Sequence, residues 1–135
     1  MDDEELLSRA REAAHAAYIP YSEYAVGAAL ETADGTVYTG CNIEIANYSN
    51  SLHAEEVALG SAVRDGHREF QRVAVSSAKR DGVTPCGMCR QSLAEFCDAD
   101  FRVVCEGDDE DADPVEYRLG DLLPETITRE MVVDE

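Results

Sequence analysis

The stretch Tyr24-Ala25-Val26-Gly27-Ala28-Ala29-Leu30-Glu31 reads as a strand, and Thr36-Val37-Tyr38-Thr39-Gly40-Cys41-Asn42 reads as its partner. Between them Ala33-Asp34-Gly35 supplies a turn containing a residue free to take positive φ, so the two strands form an antiparallel hairpin. On its N-terminal side, Asp2 or Asp3 can cap a helix running to about Tyr18, with Leu6, Leu7, Ala10, Ala14 and Ala17 as its apolar stripe and Pro20 ending it. On the other side, residues 42–51 are polar, without a clear period, and read as a loop. Helical spacing then runs from His53 to about Arg64, where Asp65-Gly66 stops it. Phe70 to Ser77 is a strand, Lys79 to Pro85 a loop, Cys86 to Cys97 a third helix, and Phe101 to Cys105 a fourth strand. Gly107 to Pro114 reads as a solvated acidic loop; it lacks the spaced ligands and terminal Glu of a calcium-binding EF-hand. Val115 to Leu119 is expected to be a fifth strand, followed by a mostly surface tail from Gly120. Alternating strands and helices imply a layered α/β domain with a mixed sheet.

A chain of 135 residues is the size of one domain, taken here as residues 1–135. Its charge is unusual: 29 acidic residues against 11 basic ones give a formal net charge of −18, and Lys79 is the only lysine. The acidic residues interleave with periodic apolar runs, which argues against a disordered solvating chain. A folded protein adapted to concentrated salt is the better reading, because salt screens the self-repulsion of such a surface. The same field repels polyanions and so disfavours nucleic acid and anionic membranes as partners. The acidic start Met1-Asp2-Asp3-Glu4-Glu5 has no apolar signal region, and no apolar run approaches the roughly 20 residues of a membrane span. A soluble, cytoplasmic protein is expected. Five cysteines, two of them in Cys86-Gly87-Met88-Cys89, suggest metal or redox chemistry in a reducing compartment more than a disulfide framework.

A catalytic zinc takes three protein ligands and keeps a fourth position for water. His53, Cys86 and Cys89 supply three. The Cys-x-x-Cys spacing puts both sulfurs on one side of a helix's first turn, where the helix dipole and unsatisfied N–H groups favour thiolates. His53 also opens a helix, so two helix N-termini facing one another would surround one ion. Glu55, two residues on, can reach a water at that ion without being a ligand. Each piece alone has a plain structural explanation: a redox pair or structural half-site, a polar cap, a solvated helix residue. The joint pattern His-x-Glu followed by Pro-Cys-x-x-Cys is the signature of zinc deaminases.

At these residues the chain resembles the cytidine deaminase family. The matching stretches are Pro20-Tyr21-Ser22, Val26-Gly27-Ala28-Ala29-Leu30, Thr39-Gly40-Cys41-Asn42-Ile43-Glu44, His53-Ala54-Glu55, Pro85-Cys86-Gly87-Met88-Cys89-Arg90-Gln91 and Leu122-Leu123-Pro124, in the family's order. The resemblance implies a three-layer α/β/α sandwich with a five-stranded mixed sheet, one zinc ion per chain, and hydrolysis of the 4-amino group of cytidine and deoxycytidine. It assigns Glu55 the proton transfers and Asn42 and Glu44 the sugar 3′-hydroxyl, and it places backbone near Ala54 and Thr84 at the pyrimidine edge. Tyr24 stands where the family has a Phe packed near the base, with a core role as the plain alternative. Tyr48 matches a tyrosine that closes a neighbouring subunit's pocket, which implies a homotetramer.

Four positions depart from the short-chain pattern. His53 replaces a usual Cys ligand and Glu56 a usual Arg. The pair is consistent: three thiolates leave the zinc site at −1, which an Arg offsets, whereas one imidazole and two thiolates leave it neutral. Ile45 replaces an Asn, and Ile127 stands at a Phe expected to pack over substrate across a subunit interface. Both bear on substrate preference. Cys41, Cys97 and Cys105 are expected to be buried thiols, and His15 and His67 surface residues. Glu56-Val57-Ala58-Leu59 mildly resembles blasticidin S deaminase, an alternative within the fold, but Asn42-Ile43-Glu44 favours a nucleoside. A non-catalytic zinc-stabilised binding module would need a fourth protein ligand and no Glu55.

Overall fold

The computed structural model describes residues 1–79, 81–107 and 112–133. The acidic segment 108–111, with the solvated-loop and calcium readings that fall on it, lies outside them.

Helix α1 (Asp3–Ala14) starts where Asp2 Oδ1 accepts the Glu5 N–H at 2.8 Å, and three acidic residues in its first turn complement the helix dipole. Leu6, Leu7, Ala10 and Ala14 are buried, as the apolar stripe requires. The helix stops four residues short of the expected Tyr18. Residues 15–17 tighten into three-residue turns, and Tyr18 is drawn away by the chain beyond the hairpin: its N–H donates to Asn42 O at 3.0 Å and its carbonyl accepts from Glu44 N at 2.8 Å.

Strands β1 (Val26–Thr32) and β2 (Val37–Cys41) pair antiparallel from Gly27 opposite Cys41 to Glu31 opposite Val37. Gly35 takes the positive φ of the turn. The Asp34 carboxylate fastens that turn by accepting the Thr36 N–H and the Thr32 and Thr36 hydroxyls. Helix α2 (Ala54–Arg64) follows a single 3₁₀ turn at Tyr48–Asn50. Strand β3 (Phe70–Ser77) pairs antiparallel with β1. Helix α3 (Gly87–Ala94) crosses to β4 (Arg102–Cys105), which lies parallel to β3, and β5 (Val115–Arg118) closes the edge antiparallel to β4. The sheet order is β2-β1-β3-β4-β5.

Two corrections apply here. Helix α3 ends at Ala94, not Cys97, because the Asp98 carboxylate and carbonyl take the N–H groups of Asp100 and Phe101 and turn the chain into β4. Strand β5 ends at Arg118, one residue before the expected Leu119, which instead opens α4 (Leu119–Leu122) and is buried in the core; the tail from Gly120 lies mostly at the surface as expected and carries the short helix α5 (Arg129–Val132).

The sheet has helices on both faces. Ala29, Ala74 and Val104 pack under α1, while Ala28, Leu30, Val73, Val75, Val103 and Cys105 face α2 and α3. Two glycines let the helices lie this close. A Cβ at Gly27 would sit 1.9 Å from Ala10 O, and one at Gly40 would sit 2.3 Å from Ala54 O and 2.6 Å from Ala58 N. Gly40 thereby seats the first turn of α2 directly over the end of β2, which sets the position of the site.

Candidate active site

His53 is the N-cap residue of α2 and Cys86 that of α3, with Cys89 one turn inside α3. Both helix starts border a cleft that Val26 of β1 and Val75 of β3 also line. His53 Nδ1 lies 3.1 Å from Cys86 Sγ and 3.2 Å from Cys89 Sγ. Among the described residues these three are the only group whose ligand atoms all lie within 4.8 Å of one another. One imidazole nitrogen and two sulfurs at such spacing match a zinc donor set with one position left open. Burial, reinforced by the neighbouring Glu55 charge, pushes the Cys89 thiol well above its ordinary range in the metal-free chain. A bound dication reverses that preference, since a coordinating thiol is deprotonated.

Glu55 is 6 % exposed, and this burial raises its carboxyl above the usual range. It lines a cleft of about 190 Å³ with Val26, Asn42, His53, Ala54, Thr84 and Cys86. A second cleft of about 400 Å³ shares Asn42 and His53 and continues past Glu44, Tyr21, Ser22 and Tyr48. The smaller space is therefore lined by His53 and Cys86, the buried carboxyl and the Ala54 and Thr84 positions, while the larger one holds Glu44 and Tyr48.

Asn42 and Glu44 face the clefts, and both also do structural work that their spacing in sequence does not reveal. The Asn42 amide accepts from Val26 N at 2.9 Å and donates to Tyr24 O at 2.8 Å. Glu44 Oε1 accepts the N–H groups of Tyr21 and Ser22 at 3.0 and 3.1 Å, and the Ser22 side chain first, then these backbone groups, hold its carboxyl below the ordinary range. The turn they stitch down contains Glu23 at φ +59°, a left-handed conformation unusual for a residue with a side chain.

Tyr24 lines neither cleft. Its hydroxyl donates to the Asp81 carboxylate at 2.8 Å, Ser77 Oγ donates to the same carboxylate at 2.7 Å, and Lys79 Nζ lies 5.5 Å from the Tyr24 ring centre. Tyr48 is exposed at the rim with its ring edge-to-face on Tyr21 at 5.7 Å. Glu56 turns back: its Oε1 accepts the His53 N–H at 3.2 Å. Ile45 and Ile127 are both exposed. Of the other cysteines, Cys105 is buried and Cys97 half-buried, with burial pushing both thiols up to about 12, and Cys41 is half-buried. His15 is exposed, but His67 is half-buried against the Tyr38 ring at 5.4 Å, which corrects its expected place on the surface. Asp81, which meets Tyr24 and Ser77, and Arg90, which meets Thr84, Pro85 and Leu122, carry contacts that residue-by-residue reading missed. Only the partners they meet across the fold identify them.

Residues 1–105 match the family model described as the cytidine and deoxycytidylate deaminase zinc-binding region. A cytidine deaminase of Sporosarcina psychrophila is 43% identical over 133 residues, covering 96% of this chain and 94% of that protein. One of Halalkalibacterium halodurans is 40% identical over 137 residues, covering 99% and 100%. The crystal structure of cytidine deaminase from Burkholderia pseudomallei superposes with a TM-score of 0.87 at 40% identity, covering 94% of this chain and 100% of that one. With the same five-stranded mixed sheet and a His/Cys/Cys zinc-binding group in place, the chain belongs to the cytidine and deoxycytidylate deaminase family.

Proposed function

We propose that the protein hydrolyses cytidine and deoxycytidine to uridine and deoxyuridine, releasing ammonia. The observation that carries this reading is the burial of Glu55 in the small cleft lined by His53 and Cys86, whose ligand atoms lie within 4.8 Å of that of Cys89. A buried carboxyl with a raised pKa suits a group that must take a proton and give it back near neutral pH. It also argues against a purely structural metal site, which has no use for it. Zinc held by His53, Cys86 and Cys89 supplies Lewis-acid chemistry that makes water nucleophilic near neutral pH.

Glu55 takes the proton of the attacking water and delivers it to ring N3 as a C4–O bond forms. It then takes the proton of the new C4 hydroxyl and passes it to the departing amine as the C4–N bond breaks and the C4 carbonyl forms, so one water is consumed and one ammonia released. Ala54 and Thr84 border the pyrimidine, and Asn42 and Glu44 hold the sugar. Tyr21 and Ser22 hold the Glu44 carboxylate at the edge of the larger cleft, where it meets the 3′-hydroxyl. No Lys or Arg lines either cleft among the described residues, whereas Glu44 does. That charge balance favours an uncharged nucleoside over a nucleotide.

The wider reading is a salvage enzyme of the cytoplasm that works as a homotetramer in concentrated salt. The unpaired cysteines fit a reducing compartment. No helix among the described residues is long and apolar enough to cross a membrane. Tyr21, Ile45, Tyr48 and Leu52 expose apolar surface around the cleft mouth, as a pocket completed by neighbouring copies requires. The −18 charge fits salt adaptation. Incubating the purified protein with a nucleoside panel and following ammonia release tests the activity. Turnover of blasticidin S with none of any cytosine nucleoside would overturn the substrate assignment.

A further inference from the structure

Arg90 follows the second cysteine ligand, and its guanidinium reaches three separate pieces of the chain. Nε donates to Pro85 O at 2.6 Å, one terminal nitrogen to Thr84 Oγ1 at 3.1 Å, and the other to Leu122 O at 2.8 Å. Its partners are carbonyls and a hydroxyl; no carboxylate pairs with it among the described residues, although the chain carries 29 of them. Here the planar fork is spent on geometry, which a lysine's single ammonium cannot reproduce.

Two of the three partners lie at the edge of the base cleft. Thr84 lines it, and the Pro85 carbonyl immediately precedes Cys86. The third is the last residue of α4. The neighbouring residue adds a second clasp to the same tail: Gln91 Nε2 donates to Ile127 O at 3.0 Å, and Thr126 Oγ1 donates to Gln91 Oε1 at 2.9 Å. Consecutive residues of the metal-holding helix thus grip the chain at 122 and again at 126–127.

We propose that Arg90 is a positioning residue that fixes the Thr84–Pro85 edge of the base cleft and ties it to the docked C-terminal segment 122–127. It touches neither substrate nor reacting atoms; it acts through Thr84 and Pro85. The inference rests on the deaminase reading for its effect on turnover, but the link to the tail stands independently of it.

Two readouts on the zinc-loaded full-length protein test the proposal. Arg90→Lys should keep one zinc per chain, lower kcat/KM for cytidine at least tenfold, and speed hydrogen exchange at the amides of residues 122–127. Thr84→Val removes one acceptor of the fork at nearly constant volume and should shift both readouts the same way by less. Because both act on one edge, the double variant should lose no more kcat/KM than Arg90→Lys alone, whereas independent structural damage would add. Additive losses, unchanged tail exchange or loss of zinc from Arg90→Lys would each overturn the proposal. Should Arg90→Lys not fold, Thr84→Val alone must still move both readouts, and parental values would refute it. A parent without turnover on any nucleoside sinks the deaminase reading, and tail exchange then decides the clamp.

Discussion

The His53 N–H donates to Glu56 Oε1 at 3.2 Å, so the residue that departs from the family's Arg caps the helix that presents the metal ligand. Its negative charge lies at the N-terminus of α2, where the helix dipole favours it. Glu56→Ala should cost about 1 kcal/mol through the lost cap and lower Tm by several degrees. Glu56→Gln keeps an acceptor and should stay within a degree or two of the parent. Thermal melts of the two variants decide it; equal losses would mean the charge matters and the cap does not.

Metal binding and proton transfer should separate cleanly. Cys86→Ser and Cys89→Ser should lose zinc by elemental analysis, while Glu55→Gln should keep it and fall by several orders of magnitude in turnover because an amide cannot shuttle protons. Since burial holds the Cys89 thiol protonated in the metal-free chain, zinc uptake should release protons into weak buffer. Full zinc retention in both cysteine variants would remove the ligand assignment.

Glu44 calls for a subtler test than truncation. Glu44→Ala frees the Tyr21 and Ser22 amides as well as the substrate, whereas Glu44→Gln keeps an acceptor for them. Both should lower kcat/KM for cytidine and deoxycytidine about ten- to a hundredfold, since an unpaired polar group in a closed site costs roughly 1–3 kcal/mol. On a 2′,3′-dideoxy analogue, Glu44→Gln should be nearly silent. Asn42→Ala should add a stability loss of similar size by orphaning Val26 N. A Glu44→Gln loss that is equal on all three nucleosides would assign the residue to the fold alone.

The hairpin turn supplies a pH dependence away from the site. Hydrogen bonds from the Thr32 hydroxyl first, then the Thr36 N–H and hydroxyl, pull the Asp34 carboxyl down to about 2 from an ordinary 3.8. A depressed pKa stabilises the fold above the unfolded value, and that contribution is lost as pH falls from about 3.8 towards about 2. Asp34→Ala should therefore be less stable than the parent at pH 7, with the gap narrowing across that window. Denaturant midpoints at several pH values measure it, and a constant gap would contradict it.

Salt should govern assembly. At about 0.01 M the Debye length grows to about 30 Å, and subunits of net charge −18 then repel across their interfaces. Dilution from molar salt should dissociate the oligomer and reduce activity together, as light scattering and ammonia release can follow. An unchanged particle mass and rate would argue against salt adaptation.

The hairpin, the strand at Phe70–Ser77 and the helix starts at His53 and Cys86 were legible because turn chemistry, side-chain period and caps are local. The donor set was legible for the same reason: His-x-Glu and Cys-x-x-Cys place their groups within one turn of a helix start. Where elements stopped was less legible. Helix α1 ends at Ala14 because Tyr18 bonds Asn42 and Glu44, residues that no local window contains. Tyr24 was open to a place near the base or in the core, and the fold points its hydroxyl at Asp81.

By itself, then, the sequence determined the order and type of the main elements, the acidic charge and the His-x-Glu and Cys-x-x-Cys pattern whose His and Cys groups fit a zinc site, since each depends on residues close together in the chain. Only the tertiary structure decided that Gly40 seats α2 over β2, that Glu44 is braced by Tyr21 and Ser22, and that Arg90 joins the cleft edge to the tail. The Gly40, Glu44 and Arg90–Leu122 contacts link residues 14 to 32 positions apart, and they exist only after the fold has brought both ends together.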